Sequence, residues 1–200
     1  LGTTVKMVML EKSNQTRQNA ITCLMNLAFL HENRSRLVTF KNGIVLEALK
    51  QAISSDVDAT SRRRAAGALT NLACDETAIC MGNQKGLLET LAVVATKDDN
   101  LEVQSRAALA LTKIASSVPI TEDCHSALLD ALVAASLSKS NHSVSAVLRV
   151  KARSLENRHV MARHAGLLDT FMDILNNEKS HSIDRDNSIR ALLHLINHDT

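Results

Sequence analysis

The chain has 200 residues, 45% of them hydrophobic and 22% charged, with a formal net charge of +2. That apolar content is ample for a core without staples, and so small a net charge sets up no overall field for nucleic acid or an anionic surface. Aromatics make up only 2%, as Phe29, Phe40 and Phe171, beside 6 Gly and 1 Pro, and so few turn formers among so many Ala and Leu predict an almost wholly helical protein.

In chain order, "LGTTVKMVML" (1–10) is too short and too weakly flanked for a signal peptide. No apolar run approaches the roughly 20 residues of a bilayer span, so no membrane association is expected. Residues 1–12 instead fit one helix of a larger unit. The chain then repeats itself. The segments "AITCLMNLA" (20–28), "AAGALTNLA" (65–73), "AALALTKIA" (107–115), "VSAVLRVKA" (144–152) and "SIRALLHLI" (188–196) align without gaps, their starts 45, 42, 37 and 44 residues apart. The fifth place is always Leu: Leu24, Leu69, Leu111, Leu148 and Leu192. Places one, five, eight and nine share one helix face, so they predict a buried stripe, with small residues at places one and nine allowing close approach of neighbouring helices.

A second series runs out of phase: "GIVLEAL" (43–49), "GLLETLA" (86–92), "ALLDALV" (127–133) and "GLLDTFM" (166–172). Gly43, Gly86 and Gly166 each follow a short polar-apolar segment, where a left-handed glycine ends one helix and turns the chain into the next. Each unit thus reads as a short helix, a Gly turn, a longer helix, a polar loop such as "SSDVDATS" or "TKDDN", and a longest helix. Asn33 and Asn157, each in a Glu-Asn-Arg triplet, are expected to be N-caps of the short helix. The units fall at 1–30 (partial), 31–74, 75–117, 118–155 and 156–200, about four and a half in all. With Ala127 in place of glycine, Lys151 on the apolar stripe, Pro119 and the 37-residue spacing, the fourth is irregular.

A period near 42 with three helices per unit predicts an α-solenoid. The "ALTNLA" segment and the Gly turn before the second helix resemble the armadillo repeat family, which includes beta-catenin, plakophilin and importin alpha. The resemblance covers nearly the whole chain as a single domain, and is strongest at 14–116. It implies an all-α, right-handed superhelical solenoid, with two-helix HEAT repeats as the nearest competitor. It also implies a non-catalytic protein-interaction scaffold whose third helices line a concave groove for an extended peptide.

Place seven of the third-helix segments holds Asn26, Asn71, Lys113, Val150 and His194; place three holds Thr22, Gly67, Leu109, Ala146 and Arg190; and Asn19, Arg64, Arg106, Ser143 and Asn187 precede the segments. These places make a second stripe, turned away from the leucines. By resemblance, the peptide-backbone role of place-seven asparagines falls on Asn26 and Asn71. An amide suits it because it both donates and accepts. The chain has no Trp, so the stacked lysine pockets of importin alpha are absent. The positives Arg64, Arg106, Lys113 and Arg190, with Arg17, Arg62, Arg63 and Arg185 close by, instead resemble the groove of beta-catenin. They imply an acidic or phosphorylated peptide partner, since arginine forks pair carboxylate and phosphate oxygens.

Other functions find less support. The segment Gly82–Gly86 lacks the strand and Lys-Ser/Thr of a phosphate loop. Cys124 and His125 are adjacent but have no second Cys or His at zinc spacing, and His159 and His164 lie five apart, so no metal or cofactor is expected. No Ser, His and acid pattern repeats, and no enzyme is expected. With so few aromatics to stack on bases, nucleic-acid binding is a weaker alternative, as is an assembly role in a HEAT- or armadillo-type structural solenoid. Val5, Met7, Val8 and Leu10 at one end and Leu192, Leu193, Leu195 and Ile196 at the other lack polar caps, so the chain reads as a fragment of a longer array or one that self-associates. Cys23, Cys74, Cys80 and Cys124, scattered in apolar helices, read as buried free thiols of an intracellular protein, cytoplasmic with a nuclear location as the alternative.

Overall fold

The computed structural model describes residues 1–118, 125–136 and 142–196. Its helices are α1 (Gly2–Leu10), α2 (Asn14–Phe29), α3 (His31–Thr39), α4 (Ile44–Ser55), α5 (Ala59–Leu72), α6 (Asp75–Gly82) and α7 (Leu87–Lys97), followed by α8 (Leu101–Ser117), α9 (His125–Ser136), α10 (His142–Arg153), α11 (Leu155–Arg163), α12 (Leu167–Asn176) and α13 (Ser182–Ile196). No strand occurs among the described residues, and none of these helices is long and apolar enough to cross a membrane. The triplets α3–α4–α5, α6–α7–α8 and α11–α12–α13 share one short–medium–long order, while α1–α2 and α9–α10 each supply the last two members.

Local sequence sets each boundary. The long helices start at residues that satisfy free backbone N–H groups: Ser13 Oγ accepts from the Thr16 N–H, Asp58 Oδ2 from that of Ser61, and Asn100 Oδ1 from those of Glu102 and Val103. Each such cap is worth about 1 kcal/mol. Gly43, Gly86 and Gly166 stand at φ +84°, +73° and +84°, so the left-handed turn read from the sequence is present in all three. Ala127 lies inside α9, which starts two residues earlier, at His125.

The glutamate-asparagine-arginine triplets do something other than expected. Asn33 and Asn157 are not N-caps; those positions belong to Leu30 and Ser154. Asn33 Nδ2 donates to the Leu27 carbonyl and Arg34 Nε to that of Ala28, while Asn157 Nδ2 donates to Lys151 and Arg158 Nε to Ala152. These side chains cap the free carbonyls of the preceding long helix, which a turn-forming residue read locally does not reveal.

The core follows the leucine stripe. Leu24, Leu69, Leu111 and Leu148 are buried, with Ala28, Ala73, Ala115 and Ala152 beside them; Leu192 is only partly covered. Consecutive long helices pack side by side, α2 on α5, α5 on α8, α8 on α10 and α10 on α13, as do the second helices α4 on α7 and α7 on α9. The end faces are less apolar than expected, since Val5, Val8 and Leu195 are buried while Met7, Leu10, Leu193 and Ile196 are exposed. The thiols also differ from expectation: Cys23 is exposed, and Cys74 and Cys80 are half-buried. Pro119, Cys124 and His198 lie outside the described residues, as does the side chain of Ser143.

Lys151 occupies a core place and is buried. Its ammonium reaches across to the end of α8, donating to the Ser116 and Val118 carbonyls at 3.0 and 2.7 Å. Burial pushes its pKa below the ordinary 10.5.

Candidate functional site

The long helices α2, α5, α8, α10 and α13 lie in sequence across one face of the molecule, and the residues singled out from sequence sit on it with differing freedom. Asn26 is exposed, and Asn71 is half-buried, with Nδ2 only 3.5 Å from the Met25 carbonyl of the preceding long helix. Lys113 repeats that contact one unit on, donating to the Thr70 carbonyl at 3.2 Å. On α5 and α8, place seven therefore reaches back one helix.

Two stripe positions are not on the surface. Gly67 is buried: a Cβ there would stand 3.1 Å from Arg106 Nη1 and 3.3 Å from Met25 Sδ. The guanidinium of the next unit lies across the missing side chain, which periodicity within one helix cannot show. Asn187 is buried as well, donating from Nδ2 to Ser145 Oγ at 3.0 Å, and that hydroxyl donates to Asp184 Oδ1 at 2.7 Å.

The arginines divide into two groups. Arg17 and Arg62 are struts. Arg17 Nε meets Asp56 at 3.2 Å, and Arg62 forks onto Asp98 at 2.8 and 3.1 Å and also pairs with Asp99. Each also ties down its own loop, Arg17 through the Glu11 and Lys12 carbonyls and Arg62 through those of Asp56 and Val57. Burial alone would raise the Asp98 carboxyl, yet the Arg62 hydrogen bond and the Asn100 N–H hold it below its ordinary 3.8. The recurring signal was in the sequence as Asp-x-Asp or Asp-x-Asn, with a long polar side chain six residues after the first Asp: Asp56 then Arg62, Asp98 then Gln104, whose Nε2 donates to the Asp98 carbonyl at 2.6 Å.

The second group faces outward. Arg64 is half-buried and has no ion-pair partner among the described residues. Arg106 and Arg63 converge on Glu102 at 2.9 and 3.3 Å, which holds that carboxylate below its usual range, and Arg190 pairs with Asp186 at 2.8 Å. The three stripe places hold no acid, but the turn before them does, so part of the positive charge is answered within the same helices. Leu109, Val150, Ile189 and Leu193 are exposed among these charges.

Among the described residues, one group of metal-binding residue types meets elsewhere. Donor atoms of His31, Cys74 and Glu76 lie within 4.8 Å of one another. His31 already pairs with Glu76 at 3.4 Å, and Cys74 contacts Thr77 Oγ1 at 3.3 Å, so ordinary contacts account for all three.

No protein-family model matches the chain, and no curated protein does. Solved structures do. Computationally designed armadillo repeat proteins for modular peptide recognition align at a TM-score of 0.70 and 19% identity over 97% of this chain and 81% of theirs. A designed armadillo repeat protein in complex with the peptide (KR)4 aligns at 0.66 and 19% over 96% of this chain and 80% of that one. With three complete three-helix units, left-handed glycine turns at Gly43, Gly86 and Gly166 and long helices stacked in sequence, this chain has the armadillo repeat fold.

Proposed function

We propose that the chain is a non-catalytic scaffold that binds an extended acidic segment of a partner protein across α2, α5, α8, α10 and α13. The observation that carries this reading is the register of Asn26, Asn71 and Lys113 along the adjacent helices α2, α5 and α8, flanked by outward arginines. An extended backbone laid across these helices meets an amide or a cation on α2, α5 and α8, and acidic side chains meet Arg64, Arg106 and Arg190. The (KR)4 peptide of the designed protein is basic; the side chains here favour the opposite sign. The free thiols Cys23, Cys74 and Cys80 suit a reducing, intracellular location.

The test is a fluorescence titration with labelled (DE)4 and (KR)4 peptides at low and moderate salt. Expected are preference for (DE)4, weakening with salt, and about tenfold loss in an Arg64→Glu/Arg106→Glu variant. Equal affinity for both peptides, or a variant that binds as well as the parent, would sink the reading. Self-association is a second reading, favoured by exposed Leu10 and Ile196 at opposite ends; a mass by light scattering that stays monomeric at every dilution would remove it.

A further inference from the structure

Where α10 packs on α13, Arg149, Arg153 and Arg190 line a cleft of about 400 Å³ together with Leu193 and His194. Arg149 and Arg153 are four apart on one helix, and Arg190 and His194 four apart on the next, so each pair shares a helix face. Arg190 is answered by Asp186 on its own helix. Arg149 and Arg153 have no ion pair among the described residues, and Arg149 Nε is shut off from solvent with no hydrogen-bond partner. Of the other charged groups around α10 and α13, Asp184 is engaged by Ser145, and Arg158 is anchored on the Ala152 and Arg153 carbonyls.

A shielded guanidinium N–H without an acceptor is costly, and like charges around one cleft repel. The effect reaches His194, whose pKa is held below its ordinary 6.5 by burial first and then by Arg158, Arg153 and Arg149. A bound anion relieves both penalties. A carboxylate is planar, carries one charge and satisfies a single fork, whereas a phosphate monoester offers three acceptor oxygens and nearly two charges, enough to engage several guanidiniums at once.

We infer that the Arg149–Arg153–Arg190 cleft is a binding site for a phosphate monoester, presented by a phosphorylated side chain of the peptide lying on the same face. The peptide as the source rests on the groove reading above; the anion site itself does not.

The probe is inorganic phosphate, titrated into the full chain at constant ionic strength against chloride and followed by the arginine Nε–Hε signals in a nitrogen-correlated NMR spectrum. Expected are a saturable shift at Arg149 specific to phosphate, a His194 pKa that rises when phosphate is bound, and about tenfold weaker binding in Arg149→Gln and in Arg153→Gln. Arg153 is exposed, so that second variant keeps the test free of folding defects. An Arg36→Gln control, at an exposed position on α3, retains the response. Equal shifts in chloride, or a phosphate response that survives both cleft substitutions, overturns the site. If phosphate binds the cleft while (DE)4 binds nowhere, the groove reading fails and free phosphate, not a peptide, is the source; if (DE)4 binds and phosphate does not, the cleft assignment fails alone.

Discussion

Replacing Arg62 by Met tests how consecutive units are locked together. The side chains of Arg62 and Asp98 are only 11% and 6% exposed, and their two hydrogen bonds of 2.8 and 3.1 Å join α5 to the loop between α7 and α8. Methionine keeps the apolar stem but leaves Asp98 shielded beside Asp99 with no cation, and two loop carbonyls without their donor. Removing one partner of a buried pair costs about 3 kcal/mol at neutral pH, or roughly 6–12 °C in midpoint for a chain of this size. Urea unfolding of the full chain, followed by helical circular dichroism, should show that loss, and a double-mutant cycle with Asp98→Asn should give a coupling of at least about 1 kcal/mol. Acid adds an independent check. The folded Asp98 pKa lies below the unfolded 3.8, so the parent holds this stabilisation above pH 3.8 and loses it as pH falls through the lowered folded value. The gap between parent and Arg62→Met therefore narrows on acidification. A loss under about 0.5 kcal/mol at neutral pH, or no coupling to Asp98, would refute the strut.

Two further outcomes follow from the turns and the buried lysine. Gly43→Ala and Gly86→Ala each force a Cβ into a left-handed turn, costing about 1–2 kcal/mol; at Gly43 the new Cβ also meets Gln84 Oε1, the far end of a flexible side chain that turns aside, so both variants should lower the thermal midpoint alike, and an unchanged midpoint in either would contradict the turns. Lys151 binds fewer protons folded than unfolded between its lowered pKa and 10.5, so the stability of the parent relative to Lys151→Met should rise with pH across that window. A flat difference in urea titrations up to pH 10.5 would mean the ammonium is not desolvated.

Much of this was legible in the sequence because it is written in periodicity. A leucine at the fifth place of five segments, alanines at either end and glycine before the second helix specify helix, buried face and turn through short-range rules, and those rules reappear as buried Leu69, Ala65 and Ala73 and as Gly86 at φ +73°. What periodicity could not supply is whatever one unit does to the next. Gly67 reads as a bare groove position until Arg106 is seen lying over it; Asn157 reads as a cap on its own helix until it is seen closing the previous one; and Lys151 reads as a break in the core until its ammonium is found on the carbonyls of α8. The arginines show the difference most clearly. Sequence placed Arg17, Arg62, Arg64 and Arg106 near one another in register, but charge is answered through space, and only the stacked helices decide that the first two are spent on aspartates of the neighbouring unit. Among the described residues Arg64 is left without an ion pair, and Arg149 and Arg153, which register passed over, meet across from Arg190.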